Sequence, residues 1–340
     1  MAKVLVTGAG GYIGSVLAPL LLAKGYEVRA LDRFYFGQDL LADQPRLEKI
    51  REDTRRLRSE HLAGVDHVID LAALSNDPSG ELFQQQTWEI NHAARVRTAK
   101  LAKQSGVKRY ILPSSCSIYG FHDANVIVDE ESPTNPLTTY AKANERAEHE
   151  ILPLADDQFC VVVIRQATVF GFSPRMRFDL AINGMTYGAW KTGVLPLMRD
   201  GSQWRPMVHV KDTSEAMCFL LQADREVVNG QRFNVGANAN NYQLGPLADI
   251  VACALPKPVK IDWYGDPDHR SYRVSFDKIT AMGFKARYGA REGATEIYEA
   301  LEAGKTDRTS KTLTLDWYKE LVKWHKIIRD VEMYGGILEL

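Results

Sequence analysis

The chain has 340 residues, 45% of them hydrophobic and 25% charged, an ordinary globular composition sufficient for one large α/β unit or two domains. Lys and Arg number 42 against 43 Asp and Glu, for a formal net charge of −1, so no basic excess asks for nucleic acid or an anionic membrane as partner. Four scattered cysteines, Cys116, Cys160, Cys218 and Cys253, include no C-x-x-C pair, which argues against a zinc site or disulfide framework and reads as reduced thiols.

A strand-like run begins at Lys3 and leaves no room for a signal peptide, and no apolar run approaches the ~18–20 residues of a spanning helix. A cytoplasmic protein is expected. In chain order, Lys3–Thr7, Glu27–Leu31, His67–Leu71, Arg109–Pro113 and Cys160–Arg165 read as strands buried on both faces, too apolar for alternation. Between them Ser15–Lys24, Thr87–Gln104 and Thr139–Leu152 carry helical periodicity. The pattern predicts an α/β fold: a Rossmann-type doubly wound parallel sheet, with ligands at the carboxyl ends of its strands. After Gly171 the texture changes, and Arg232–Gly236 reads as a return to the sheet. The expected organisation is a nucleotide-binding domain over 1–171 with a return segment 207–236, a smaller α/β substrate domain from 172–206 and 237–310, and a helical tail over 311–340.

The turn Thr7-Gly8-Ala9-Gly10-Gly11-Tyr12-Ile13-Gly14 follows the first strand and opens the first helix. Its glycines fall as G-x-x-G-x-x-G (Gly8, Gly11, Gly14), which supplies a tight turn, close backbone approach to a pyrophosphate and close helix–strand packing. The helix N-terminus adds free N–H groups and a positive dipole end. Asp32 closes the second strand, 18 residues after Gly14, where an acidic residue accepts from the adenosine ribose hydroxyls and repels a 2′-phosphate. NAD is therefore favoured over NADP, although Arg33 next door is able to meet that phosphate. Asp53, after a third strand, is placed to accept from the adenine amino group.

Two further stretches belong together: Pro113-Ser114-Ser115-Cys116-Ser117-Ile118-Tyr119-Gly120 after a strand, and Tyr140 opening a helix about twenty residues later. With the glycine turn they make the chain resemble the extended short-chain dehydrogenases/reductases. Within that group it is most similar to the nucleotide-sugar epimerases and dehydratases of the UDP-galactose 4-epimerase type. The resemblance implies Ser115 as hydrogen-bond partner of the reacting sugar hydroxyl and Tyr140 as the acid/base, while the nicotinamide takes the hydride. It also assigns Tyr12, Ile13, Leu71, Ala72, Ala73 and Asn91 to the cofactor.

The sequence departs from that family at one position. The family reads Tyr-x-x-x-Lys, whereas this chain reads Tyr140-Ala141-Lys142-Ala143-Asn144. Lys142 lies ~200° around the helix and points away. Asn144 shares the tyrosine's face and can hydrogen-bond the nicotinamide ribose, but it brings no positive charge, so slow hydride transfer at neutral pH is expected. Cys116 and Ser117 stand where the 4,6-dehydratases of the family carry an Asp-Glu pair, which argues against 4,6-dehydration and leaves both at the substrate.

At the substrate end, Gly201–Asp212 resembles the segment whose arginine grips a nucleotide diphosphate, and Arg205 matches that arginine. Asn183 matches an asparagine directed at the diphosphate, Asp268 an acidic residue on the nucleotide ribose, and Arg270 adds a phosphate contact. No metal is implied. The expected activity is NAD-dependent epimerisation of a nucleotide diphosphate sugar. The alternatives are a reductase or dehydrogenase exchanging its cofactor, or a binding homologue impaired by Asn144. The family's usual pairing through Thr87–Gln104 and Thr139–Leu152 implies a homodimer.

Overall fold

The computed structural model describes residues 1–123, 125–266 and 271–331. Seven parallel strands form the central sheet. β1 (Lys3–Thr7), β2 (Glu27–Asp32), β3 (Leu47–Arg51), β4 (His67–Asp70) and β5 (Arg109–Ser115) are joined by the strands Cys160–Gln166 and Gln231–Val235. From one edge the order is Gln231–Val235, Cys160–Gln166, β5, β4, β1, β2, β3. The chain reverses its direction of travel between β1 and β4, so the crevice beyond their carboxyl ends is where this architecture receives a ligand.

The near-continuous apolar strands follow from burial on both faces. Val4 and Val6 of β1 join one core cluster with Leu17, Ile69, Ile111, Val162 and Ile164, while Leu5 joins the other with Leu31, Val68, Tyr110, Leu112, Val161 and Val163. Successive residues of one strand thus feed opposite layers, as the period of two requires. The edge strand β3 is only partly buried.

Three helices position the site. The first, Gly14–Ala23, rises from the glycine turn after β1. A second stretch runs from Gln84 to Gln104 with a widened π-helical turn over Trp88–Ala94, so the expected single helix is two α-helical pieces around that turn. The third, Thr139–Ile151, begins at Thr138, whose side chain caps it by accepting from the Ala141 N–H at 3.2 Å.

Beyond the sheet, the helix Ala181–Thr192 and the paired strands Val194–Met198 and Lys260–Tyr264 build a smaller layer around Phe170, Ile182, Leu195, Leu247 and Ala294. The helix Thr314–Val331 returns to the main body, where Tyr318 packs among the rings of Tyr35, Phe36 and Phe83. Among the described residues no helix is long and apolar enough to cross a membrane.

Candidate active site

A cleft of about 950 Å³ runs from the glycine turn, past the carboxyl ends of β1, β4 and β5, to the smaller layer. At its near end the backbone packing excludes side chains. Gly8 has φ +66°, and a Cβ there would lie 2.8 Å from the Ala72 nitrogen; one on Gly14 would lie 2.4 Å from the Gly8 carbonyl. The turn therefore lies flush against the loop after β4, and the first helix presents its unpaired N–H end to the cleft. Gly8, Gly11, Tyr12, Ile13 and Gly14 all line it, as do Leu71, Ala72 and Ala73.

Asp32 stands at the cleft and accepts from the Gly10 N–H at 3.0 Å and the Phe34 N–H at 2.6 Å. Burial pushes its carboxyl up against those two hydrogen bonds. Asp53 also reaches the wall, but Arg33 and Arg55 hold its carboxylate at 2.9 and 2.8 Å. Burial works against ionisation there, yet the hydrogen bonds from Arg55 prevail and bring the carboxyl to about 2. The glycine cradle, the helix end and a carboxylate closing β2 fit the pyrophosphate and ribose of a dinucleotide.

Two expected cofactor and substrate residues lie behind the wall. Asn91 is fully buried in the π-helical turn, and its amide accepts from the Leu74 N–H at 2.8 Å and donates to the Leu74 carbonyl at 3.0 Å. It shapes the loop after β4 from beneath. Asn183 is equally buried; it accepts from the Gly171 N–H at 3.0 Å and donates to the Tyr12 hydroxyl at 3.0 Å and the Arg177 carbonyl at 2.8 Å. Its amide steadies Tyr12, which is itself at the cleft.

The middle of the cleft brings Ser115 and Tyr140 together, the serine side chain favouring ionisation of the phenol. Tyr140 sits where the helix Thr139–Ile151 crosses the short helix Asp77–Leu82, close enough that a Cβ on Gly80 would come within 3.1 Å of the tyrosine Cβ. Burial raises the phenol above its ordinary range, and the positive charge of Arg95 opposes that rise. Ser117 faces the cleft with its hydroxyl unpartnered among the described residues. Cys116 turns inward, 1% exposed, and donates its thiol to the Arg165 carbonyl at 3.2 Å; burial pushes that thiol up, which leaves it inert.

Lys142 is exposed, as its spacing from Tyr140 predicts, and Asn144 is 2% exposed beneath the tyrosine. The Asn144 oxygen accepts from an Arg95 guanidinium N–H at 2.8 Å, and its amide donates to the Tyr140 carbonyl at 2.9 Å. Arg95 itself lines the cleft. A guanidinium from the neighbouring helix thus meets position 144. Sequence reasoning missed Arg95, although an arginine in one stripe with Asn91 and Ala99 of a predicted buried helix face was the available signal.

At the far end Arg205 lines the cleft, its guanidinium 5.7 Å from the Tyr272 ring centroid. Asp268 and Arg270 lie outside the described residues. Two arginines not foreseen line the cleft nearer Asp32 and Tyr140. Arg177 is held by Asp179, whose carboxyl sits at about 2 because that guanidinium overcomes its burial. Arg175 is 4% exposed, its Nε and Nη1 have no hydrogen-bond partner among the described residues, and burial lowers it to about 10. Tyr318 of the C-terminal helix completes this wall.

The chain is similar to known proteins. The profile of the NAD dependent epimerase/dehydratase family matches residues 4–236. UDP-arabinose 4-epimerase 1 of Arabidopsis thaliana is 28% identical over 297 residues, covering 77% of this chain and 70% of its own. UDP-glucuronic acid decarboxylase 1 of the same plant is 24% identical over 306 residues, covering 86% of this chain and 68% of its own. Among solved structures, MoeE5 in complex with UDP-glucuronic acid and NAD superposes with a TM-score of 0.79 at 27% identity, covering 89% of this chain and all (100%) of that one.

Proposed function

Because the chain belongs to the NAD dependent epimerase/dehydratase family and is an NAD-dependent enzyme, we propose that it epimerises a nucleotide diphosphate sugar by transient oxidation of a ring hydroxyl. The observation that carries this reading is the pairing of Ser115 with Tyr140 in the middle of a cleft that begins at a dinucleotide cradle. Gly8, Gly11, Ile13, Gly14 and Asp32 would hold NAD, with Leu71 to Ala73 as the opposite wall. When bound, NAD would supply a reversible hydride acceptor for the sugar carbon.

The remaining work falls to side chains of this chain. Ser115 orients the hydroxyl, and ionised Tyr140 takes its proton as the C–H electron pair departs with the hydride, leaving a ketone. Tyr140 would return the proton to the oxygen when the ketone is reduced on its opposite face, which gives the epimer. Arg205 holds the diphosphate, with Asp268 and Arg270 assigned to the nucleotide ribose and phosphates. The inward thiol of Cys116 and the hydroxyl of Ser117 offer no acid–base pair for elimination, which supports epimerisation over 4,6-dehydration. A cytoplasmic homodimer, paired through the helices around Trp88 and Thr139–Ile151, belongs to the same reading; the 39% exposure of Trp88 supports it, and light scattering tests it.

The deciding experiment supplies a panel of nucleotide diphosphate sugars with NAD in trace amount and identifies products by proton NMR. A new epimer without net NADH supports the proposal. Conversion of the sugar to an oxidised product with equal NADH once NAD is raised to excess identifies a dehydrogenase, and no change in any sugar under either condition identifies a binding protein; either result overturns it.

A further inference from the structure

Arg95 is a buried cation of unusual surroundings. It is 3% exposed, and its three hydrogen-bond acceptors are neutral: Asn144 Oδ1 at 2.8 Å, the Ala72 carbonyl at 3.2 Å and the Asp70 carbonyl at 3.3 Å. A guanidinium stays charged under all ordinary conditions, and burying one without a carboxylate in contact is costly. A buried charge kept at that cost, beside the residues of a reaction, is a mark of function.

Asn144 ties this charge to the acid/base. One amide group accepts from Arg95 and donates to the carbonyl of Tyr140 itself, so a single side chain links the guanidinium to the residue that carries the phenol. A lysine at 144 would set an ammonium against that guanidinium. The asparagine and the arginine therefore form a matched pair: one gives up the charge and the other provides it from the adjacent helix.

We propose that Arg95, held in place by Asn144, is the positioning cation that keeps Tyr140 competent as the acid/base. This rests on the reading of Tyr140 given above. Other groups face the tyrosine as well. Asp77 of the helix Asp77–Leu82 opposes ionisation, while Arg177 and Ser115 of β5 favour it. Glu81 is engaged with the Thr139 N–H at 2.7 Å, and His92 with Glu150 at 3.1 Å toward the far end of the helix. Behind Arg95 lies the Asp70 carboxyl, hydrogen-bonded by Thr7 and Tyr110. Arg95 and Arg177 are the charges that favour the phenolate.

The test follows ionisation of the Tyr140 phenol by near-ultraviolet difference spectroscopy in the NAD-loaded protein, against the same protein carrying Tyr140→Phe, without any sugar. Arg95→Gln keeps a donor at the Nε position, toward the Ala72 carbonyl, and loses the charge, so it should raise the titration midpoint by about one unit or more. Arg95→Lys should restore most of the shift. The double variant Arg95→Met with Asn144→Lys returns the charge to the helix of Tyr140 and should also restore it. In the pH–rate profile Arg95→Gln should be about tenfold slower or more at neutral pH and converge with wild type at alkaline pH. An unmoved midpoint in Arg95→Gln overturns the proposal. So does an Arg95→Lys midpoint as high as that of the glutamine variant, which is the signature of a structural role. If Arg95→Gln does not fold, the double variant decides, a midpoint well above wild type being the contrary result. Because the titration uses no sugar, it reads the same whether or not the nucleotide-sugar reading survives.

Discussion

Glu148 and Arg165 face each other at 2.9 Å with side chains 1% and 5% exposed, joining the helix of Tyr140 to the strand Cys160–Gln166. Ser114 donates to the same carboxylate, and Arg165 also donates to the Tyr119 hydroxyl at 3.0 Å. One satisfied network thus locks the acid/base helix onto the sheet, directly behind Ser115.

Glu148→Gln leaves Arg165 buried without its counter-charge and should destabilise the fold by about 3–5 kcal/mol. Urea denaturation checks the magnitude. A loss below about 1 kcal/mol would show that the pair is not what seats this helix.

Cofactor choice should depend on two carboxylates together. Asp32 repels a 2′-phosphate, and Arg33, the nearby cation, is occupied at 2.9 Å by Asp53. Asp32→Gly alone should therefore narrow the preference for NAD only partly, and adding Asp53→Asn should narrow it further by releasing Arg33. Calorimetric titration with both cofactors measures this. Tighter NADP binding by the wild-type protein would refute the assignment of Asp32.

Arg205→Ala should weaken nucleotide-sugar binding by more than tenfold and leave NAD binding unchanged, since losing one side of a charged hydrogen-bonded pair costs about 2–5 kcal/mol. Calorimetry on the folded variant decides, and an unchanged affinity for every nucleotide diphosphate sugar removes Arg205 from the site.

The parts legible in the sequence are those whose cause is local. Val4, Leu5 and Val6 announce a strand buried on both faces, and the spacing of Gly8, Gly11 and Gly14 announces a cradle, because each pattern needs only its own neighbours. Roles that depend on a partner far along the chain were harder to read. Asn183 looked like a ligand residue and is spent on Tyr12, 171 positions away. Asn144 looked like a lost charge until the fold set Arg95 against it, 49 positions away. The place of the C-terminal helix was equally hidden, since Tyr318 finds its pocket among Tyr35, Phe36 and Phe83 only after folding.

The pH dependence follows from Tyr140. Its burial favours the neutral phenol, and the reacting form is the phenolate, so the rate of sugar oxidation should climb with pH until the phenol is ionised and then level off. A rate that falls with pH across the neutral to alkaline range would mean that another group carries the proton.

The most direct measurement of the central claim is a single turnover: protein loaded with NAD is mixed with its nucleotide sugar, and the near-ultraviolet absorbance of reduced nicotinamide is followed in wild type and Tyr140→Phe. The account predicts a transient rise and decay in wild type. It predicts a loss of about a hundredfold or more in the rate of that rise without the phenol, with nucleotide-sugar affinity retained. An equal transient in Tyr140→Phe would contradict the account.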